Sequence, residues 1–316
     1  MATDTHAYEQ ETERRTRADM CPGAFRPWQA EDGLLVRLRL VGGGLPVTAL
    51  RRLLEVSAEF ADGHLHLTTR ANLQIRGFAG VNGQLTAPAL AALQNTGLLP
   101  SATHELVRNI LVSPQTGLAG GHANLRPTAA CLDAALRADL QLGRLPGRFL
   151  FTLDDGRGDL LERLLGSGRR GTDLGLVALN DHDAQLRIGD HWGEVVRLDE
   201  AALHLAGLAT AFLRARGTGA GAPWHLRELP APLRTPVSPD PRLPRPAPPL
   251  SFGAVPGGTH VPVPGGALTP AHARQFLEHV AGLRPGVNPD VNPEVIVTPW
   301  HGILVPHALE GTDDEF

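Results

Sequence analysis

The sequence predicts an α+β protein in which one strand–helix–strand–strand unit occurs twice, with a different α+β unit between the copies. Three observations carry this expectation: the alternating stretch 64–77 (HLHLTTRANLQIRG), a later segment that aligns with it without a gap, and a proline-rich run ahead of the second copy.

Within 64–77 the odd positions Leu65, Leu67, Ala71, Leu73 and Ile75 are apolar, and the even positions His64, His66, Thr68, Arg70, Asn72, Gln74 and Arg76 are polar. Period two marks a half-buried sheet. The stretch is long for one strand, so two strands with a tight corner near Arg70 and Ala71 are expected. Its polar face holds donors and cations and no carboxylate, which points to an anion. Upstream, LLVRLRL (34–40) reads as a strand and GGG at 42–44 ends it. Pro46 suits a helix's first turn, and Leu50, Leu53, Leu54, Ser57 and Phe60 mark a helical face that stops near Asp62 and Gly63. The order β-α-β-β is the core of a ferredoxin-like half-domain.

The second copy spans 259–306. THVPVPGGALTPAHARQFLEHVAG (259–282) gives a strand, a Gly-Gly break and a helix with Thr269 as N-cap and Pro270 at its first position. VIVTPWHGILVP (295–306) then aligns with LHLTTRANLQIR (65–76), which puts Thr298 on Thr68, Trp300 on Arg70 and Gly302 on Asn72. Pro299 sits at the expected corner, where a central strand would reject it. The second copy carries Trp300, Gly302, Leu304 and Pro306 where the first has Arg70, Asn72, Gln74 and Arg76, so only the first is built to hold an anion.

Between the copies, 87–96 reads as a helix, NILV (109–112) as a strand, and 117–121 as a glycine-rich loop. A helix bearing Leu132, Leu136 and Leu140 follows, then the strand RFLFTL (148–153), paired strands LGLVAL (174–179) and QLRIG (185–189), and a helix over 199–216. Nine prolines in 230–249 make a stiff, extended linker. The expected organisation is a disordered 1–18, a first half-domain 19–82, a middle unit 83–229, a linker 230–252, a second half-domain 253–309 and a tail 310–316.

With 316 residues the chain is long enough for two or three packed units. Its formal charge of -4 gives no global attraction for nucleic acid, so an anion site must be local. All 29 basic residues are arginine, whose fixed charge and forked donors suit carboxylates. No apolar run of membrane length and no secretory leader pattern is present, so no membrane partner and a cytoplasmic location are expected. Two distant cysteines, Cys21 and Cys131, form no metal or disulfide framework. Cys131 lies in a helical Ala/Leu pattern and reads as inert; Cys21, in CPG ahead of the first strand, is left open.

HLTTRANLQIRG, LVRNILVSP and LPGRFLFTLDD, in that order, resemble the sulfite and nitrite reductase superfamily. TPWHGILVP after a proline-rich linker, CPG at 21–23 and GLLPSATHELVRNI are similar to its precorrin-3B synthase branch. The resemblance covers about residues 20 to 307. It implies two ferredoxin-like half-domains forming a pseudo-symmetric pair, with an inserted α+β domain of siroheme or tetrapyrrole type. It also implies Arg70 and Arg108 as contacts to the carboxylates of a bound tetrapyrrole, with Asn72, Gln74, Arg76 and Asn109 on the rim. Of two active-site lysines in the reductases, Arg148 keeps one charge and Leu150 loses the other, which disfavours siroheme-dependent sulfite or nitrite reduction. The expected function is oxygen-dependent hydroxylation and lactone formation on precorrin-3A, in cobalamin biosynthesis. No catalytic residue is assigned. The family implies a 4Fe–4S cluster and iron or siroheme, with cluster cysteines in a segment like AC-T-G-x-x-x-C after the second half-domain. Here HALEGTDDEF follows, so this chain alone is expected to bind no cluster and to have a cluster-bearing or electron-donor protein as partner. The alternative is a catalytically incomplete module that binds a tetrapyrrole or docks such a partner.

Other constellations read more plainly. His64 and His66 share a strand face but lack a third ligand, so they are expected to be surface histidines beside the tetrapyrrole groove and no metal site is assigned. Asp181-His182-Asp183 reads as a turn, and 113–121 as a loop whose amides could cradle an anion. DDGRGD (154–159) is either a turn or a placement of Asp154 and Arg157 at a pocket rim. Trp300 is expected to pack across the half-domain interface. No Ser-His-Asp order or carboxylate pair calls for a hydrolase.

Overall fold

The computed structural model describes residues 19–166, 171–219, 221–282 and 293–307; the expected disordered start at 1–18 and tail at 310–316 lie outside them. The first half-domain runs β1 (Trp28–Ala30), β2 (Gly33–Leu38), β3 (Gly44–Pro46), α1 (Val47–Phe60), β4 (Leu65–Leu67) and β5 (Leu73–Phe78). The second repeats the order as β13 (Gly253–Val255), β14 (Gly258–Pro262), β15 (Ala267–Leu268), α6 (Pro270–Gly282), β16 (Glu294–Val297) and β17 (Gly302–Pro306). The numbers of the elements between are introduced with the middle unit below.

The two copies are interlocked by strand exchange. One sheet has the order β1-β2-β5-β4-β15 and the other β13-β14-β17-β16-β3, so each half-domain lends a short strand to the edge of its partner's sheet. In one exchange Leu45 opposes Val295; in the other Leu268 opposes Leu65. An open edge is a row of unpaired backbone groups, and the exchange closes one on each sheet. The glycine run before β3 makes this approach possible: at Gly43, with φ 75°, a Cβ would stand 2.1 Å from the carbonyl oxygen of Val297. Only glycine fits there. Buried side chains of both copies, among them Leu34, Leu53, Leu73, Ile75, Phe276, Val297 and Ile303, then form a single core.

The expected corner lies between β4 and β5, and the second copy repeats its geometry. Ala71 and His301, 230 positions apart in the numbering, both take left-handed φ values, 54° and 58°. In each corner a threonine N–H donates to the carbonyl four residues on, Thr68 to Asn72 and Thr298 to Gly302, both at 2.9 Å. Trp300 at this corner is half-buried, with its ring 6.4 Å from that of His260 in the same half-domain.

The hairpin β6 (Gly80–Val81) and β7 (Gln84–Leu85) leads to α2 (Ala87–Gln94), capped by the Thr86 hydroxyl. Although α2 follows the sequence boundary at 82/83, its Ala89 and Leu93 are buried in the half-domain core. The middle unit comprises β8 (Ile110–Val112), α3 (Arg126–Ala138), β9 (Phe151–Asp154), α4 (Leu161–Leu165), β10 (Leu174–Ala178), β11 (Asp183–Ile188), β12 (His191–Arg197) and α5 (Leu198–Arg216). Its sheet order is β12-β11-β10-β9-β8, parallel across β8, β9 and β10 and antiparallel beyond. Leu132, Leu136, Leu205 and Phe212 of the helices pack with Phe149, Phe151 and Leu176 in a second core. The strand expected from Arg148 starts at Phe151, because Pro146 and Phe149 first close a turn through a 2.9 Å hydrogen bond.

The proline-rich linker is a strap on the middle unit. Gln185, inside the sheet, donates to Ser238 O at 2.9 Å and accepts from Asp240 N at 2.8 Å, and Ala247 N donates to Gly158 O at 2.9 Å. Among the described residues no helix is long and apolar enough to cross a membrane.

Candidate anion site

Where the first half-domain meets the middle unit, four arginines from three segments converge on the buried thiol of Cys21. Arg37 lies on β2 opposite Gln74 on β5, and its Nη2 donates to Gln74 Oε1 at 2.9 Å. Arg39 follows two residues later; period two puts both on one face. Arg39 Nη1 donates to Pro22 O (2.8 Å) and Arg37 O (3.1 Å). Arg70 reaches over from the corner and its Nη1 donates to the backbone oxygen of Arg148 at 3.0 Å. Arg148 lies over Trp224, 4.6 Å from the ring centroid, with its Nε 3.6 Å from the Asp19 carboxylate.

The donors of this cluster are under-used. Arg37 Nε, Arg39 Nε, Arg39 Nη2 and Arg148 Nε are buried without a hydrogen-bond partner among the described residues, the 3.6 Å to Asp19 being too long for one. An unsatisfied buried polar group costs about 1–3 kcal/mol, and more when charged. Burial and the adjacent Arg37 push Arg39 down to about 10, and burial lowers Arg37 and Arg70 as well. Burial, then Asp19, raise the Cys21 thiol, against the lowering pull of Arg39 and Arg148.

Nearby carboxylates are already engaged. Glu105 accepts from Ala24 N (2.8 Å) and Phe25 N (3.1 Å), and burial raises its pKa. Asp173 accepts from Leu150 N and Leu226 N, both at 3.0 Å, and meets His225 Nδ1 at 3.1 Å. Asp19 accepts from Cys21 N and Gly147 N. The arrangement is a set of forked cations with unfilled donors among the described residues, a chemistry suited to oxyanions.

Of the residues singled out in the sequence, Arg70, Gln74 and Arg148 belong to this cluster. Asn72 and Asn109 stand behind it as a buried clasp: Asn72 Oδ1 accepts from Leu40 N (2.9 Å), its Nδ2 donates to Asn109 Oδ1 (3.2 Å), and Asn109 Nδ2 donates to Gly147 O (2.8 Å). Arg76 forms a two-bond pair with Asp32 near the surface, and Arg108 pairs with Asp133 on α3. Arg37, Arg39 and Cys21 were not singled out as site residues. The signal was two arginines at alternate positions of LLVRLRL, on the strand that pairs with the donor-rich stretch.

The remaining candidates are structural. His66 Nε2 meets Asp62 Oδ2 at 2.9 Å and His64 Nδ1 meets Asp62 O at 2.8 Å. Asp154 accepts from the N–H groups of Gly156, Gly158 and Leu160, each at 2.9 Å, and so closes the DDGRGD turn. Arg157 binds Asp155, Gln115 and the carbonyl of Ala119. The carboxylates of Asp154, Asp155 and Asp159 lie within 4.8 Å of one another; burial, then Asp154, raise Asp159 to about 7.

Residues 28–93, which carry β1 to α2, match the nitrite/sulfite reductase ferredoxin-like half domain, so the chain contains a unit of that class. In fold, the chain is similar to the Mycobacterium tuberculosis NirA protein, with a TM-score of 0.61 at 16% identity over 90% of this chain and 59% of that one. The chain thus spans about three fifths of that structure's length. In sequence it is similar to a precorrin-3B synthase of Sinorhizobium sp, 34% identical over 74 residues, which cover 23% of this chain and 16% of the relative.

Proposed function

We propose that this protein binds a carboxylate-rich tetrapyrrole through Arg37, Arg39, Arg70 and Arg148 and serves precorrin-3B synthase-type chemistry, the oxygen-dependent hydroxylation and lactone closure of precorrin-3A. The observation that carries the reading is the set of buried guanidinium nitrogens on Arg37, Arg39 and Arg148 that lack a hydrogen-bond partner among the described residues. A macrocycle edged with carboxylates supplies the acceptors these donors lack. The similarity to a precorrin-3B synthase, and the matched half domain, support that ligand class. Leu150, fully buried against Ala71, Leu111 and Leu160, offers no second cation beside Arg148, which disfavours sulfite or nitrite reduction.

The two cofactors implied by the superfamily fare differently. A tetrapyrrole fits the donor set: Arg37, Arg39, Arg70 and Arg148 would hold its carboxylates, and iron would supply the redox chemistry. An iron–sulfur cluster does not fit. It calls for about four thiolates; the chain has 2 cysteines, Cys21 buried beside the arginines and Cys131 exposed on α3. That mismatch favours a second reading, a catalytically incomplete module that binds a tetrapyrrole or docks a partner and holds no cluster on these residues.

Anaerobic purification followed by incubation with precorrin-3A, iron and oxygen tests the enzyme reading, with the lactone product expected. Folded protein that binds the macrocycle but does not convert it would remove the enzyme claim and leave the module.

A further inference from the structure

A cavity of about 480 Å³ is lined by Asp19, Arg26, Arg144, Gly147, Arg216 and Trp224, among others. Its three arginines come from the loop before β1, the turn ahead of β9 and the last residue of α5. Each donates only to a neutral oxygen among the described residues: Arg26 Nη2 to Cys21 O at 3.3 Å, Arg144 Nη1 to Gln141 Oε1 at 3.0 Å and Arg216 Nε to Pro223 O at 2.7 Å. Among the described residues Asp19 is the one carboxylate in the lining, and it is already held by Cys21 N, Gly147 N and Arg148. Burial and the facing Arg144, with which it forms a like-charged pair, lower Arg216 against the weaker raising pull of Asp19 and Glu228. Arginine cannot relieve such a pair by losing its proton at ordinary pH.

We propose that this cavity is a second anion site, for a ligand that presents a polyvalent oxyanion, either a phosphate group or clustered carboxylates. It adjoins the cluster of Arg37, Arg39, Arg70 and Arg148 through Asp19 and Trp224, which both meet Arg148, but its own three arginines are different ones and it does not depend on the function proposed for that cluster. Two or three guanidinium forks take such a group through paired N–H···O bonds. The indole of Trp224, stacked against Arg148, forms a flat wall beside it.

The test is calorimetric titration of the full chain with inorganic pyrophosphate and, separately, with citrate at low ionic strength. Saturable binding of at least one probe is expected, with one equivalent of it weakened at least tenfold by Arg144→Gln with Arg216→Gln and changed less than twofold by Arg39→Gln. Preference for pyrophosphate would assign a phosphate-bearing ligand, and preference for citrate a carboxylate-bearing one. Arg26→Gln, at an exposed side chain, gives an independent variant if the double substitution perturbs the fold, and it too should weaken binding. Absence of saturable binding overturns the proposal. So does binding that survives the cavity variants in full, or that is lost entirely with Arg39→Gln and thus belongs to the central cluster.

Discussion

Arg70 Nη1 donates to the backbone oxygen of Arg148 at 3.0 Å, so the corner of the first half-domain and the loop leading into β9 of the middle unit are joined through a residue of the anion site itself. Site geometry and domain packing are therefore one property of this chain.

The amide clasp behind the site makes the first prediction. Asn72→Ala strands the Leu40 N–H and Asn109 Oδ1, two buried groups, and should cost about 2–4 kcal/mol. Urea denaturation measures it; a loss below about 0.5 kcal/mol would show the clasp to be dispensable.

Strand exchange predicts mutual dependence of the half-domains. Cut within the linker at about residue 245, the C-terminal piece should lack cooperative unfolding and the N-terminal piece should keep only that of the middle unit, with the half-domain transition regained on mixing, because the half-domains share one core. Circular dichroism of the separate and mixed pieces decides this, and a stable isolated C-terminal piece would contradict it.

The corner was legible before the fold was known, but its cause was not. Pro299 marked the position, whereas the left-handed φ belongs to Ala71 and His301, neither of which advertises it. Ala71→Gly should be neutral or stabilising by up to about 1 kcal/mol, and Ala71→Val destabilising by about 2 kcal/mol, in thermal melts. Equal melting of both variants would remove strain from the account.

Other parts were legible to the extent that they are local. Period two and the glycine breaks revealed the repeat, because side-chain alternation is written along each strand. The exchange of β3 and β15 was not legible: strands of three and two residues carry too little pattern, and their partners lie more than 200 positions away. For the site, Arg70 and Gln74 could be read from the donor-rich stretch 64–77, and Arg148 from the resemblance carried by LPGRFLFTLDD. Arg37 and Arg39 could not, since which face of LLVRLRL looks toward Cys21 is set by tertiary packing. Asn72 and Asn109 look like ligands in a motif and are bound to backbone in the fold.

Asp159 predicts a pH dependence of stability. Its folded value of about 7 lies above the ordinary 3.8, so the folded state holds the proton more tightly. Its contribution is present in acid and is lost as pH rises from about 4 through about 7, on the order of 4 kcal/mol. Asp159→Asn should flatten this slope in melts between pH 4 and pH 8, and an unchanged slope would assign it elsewhere.

The central claim is that the arginines around Cys21 hold a carboxylate-bearing macrocycle, and the most direct measurement is a titration with uroporphyrin III followed at its Soret band. The wild-type chain should bind one equivalent, with Arg39→Gln and Arg70→Gln each weakening it about tenfold or more while melting normally. Folded variants that bind as tightly as the wild type, or a wild-type chain that leaves the Soret band unshifted, would contradict the account.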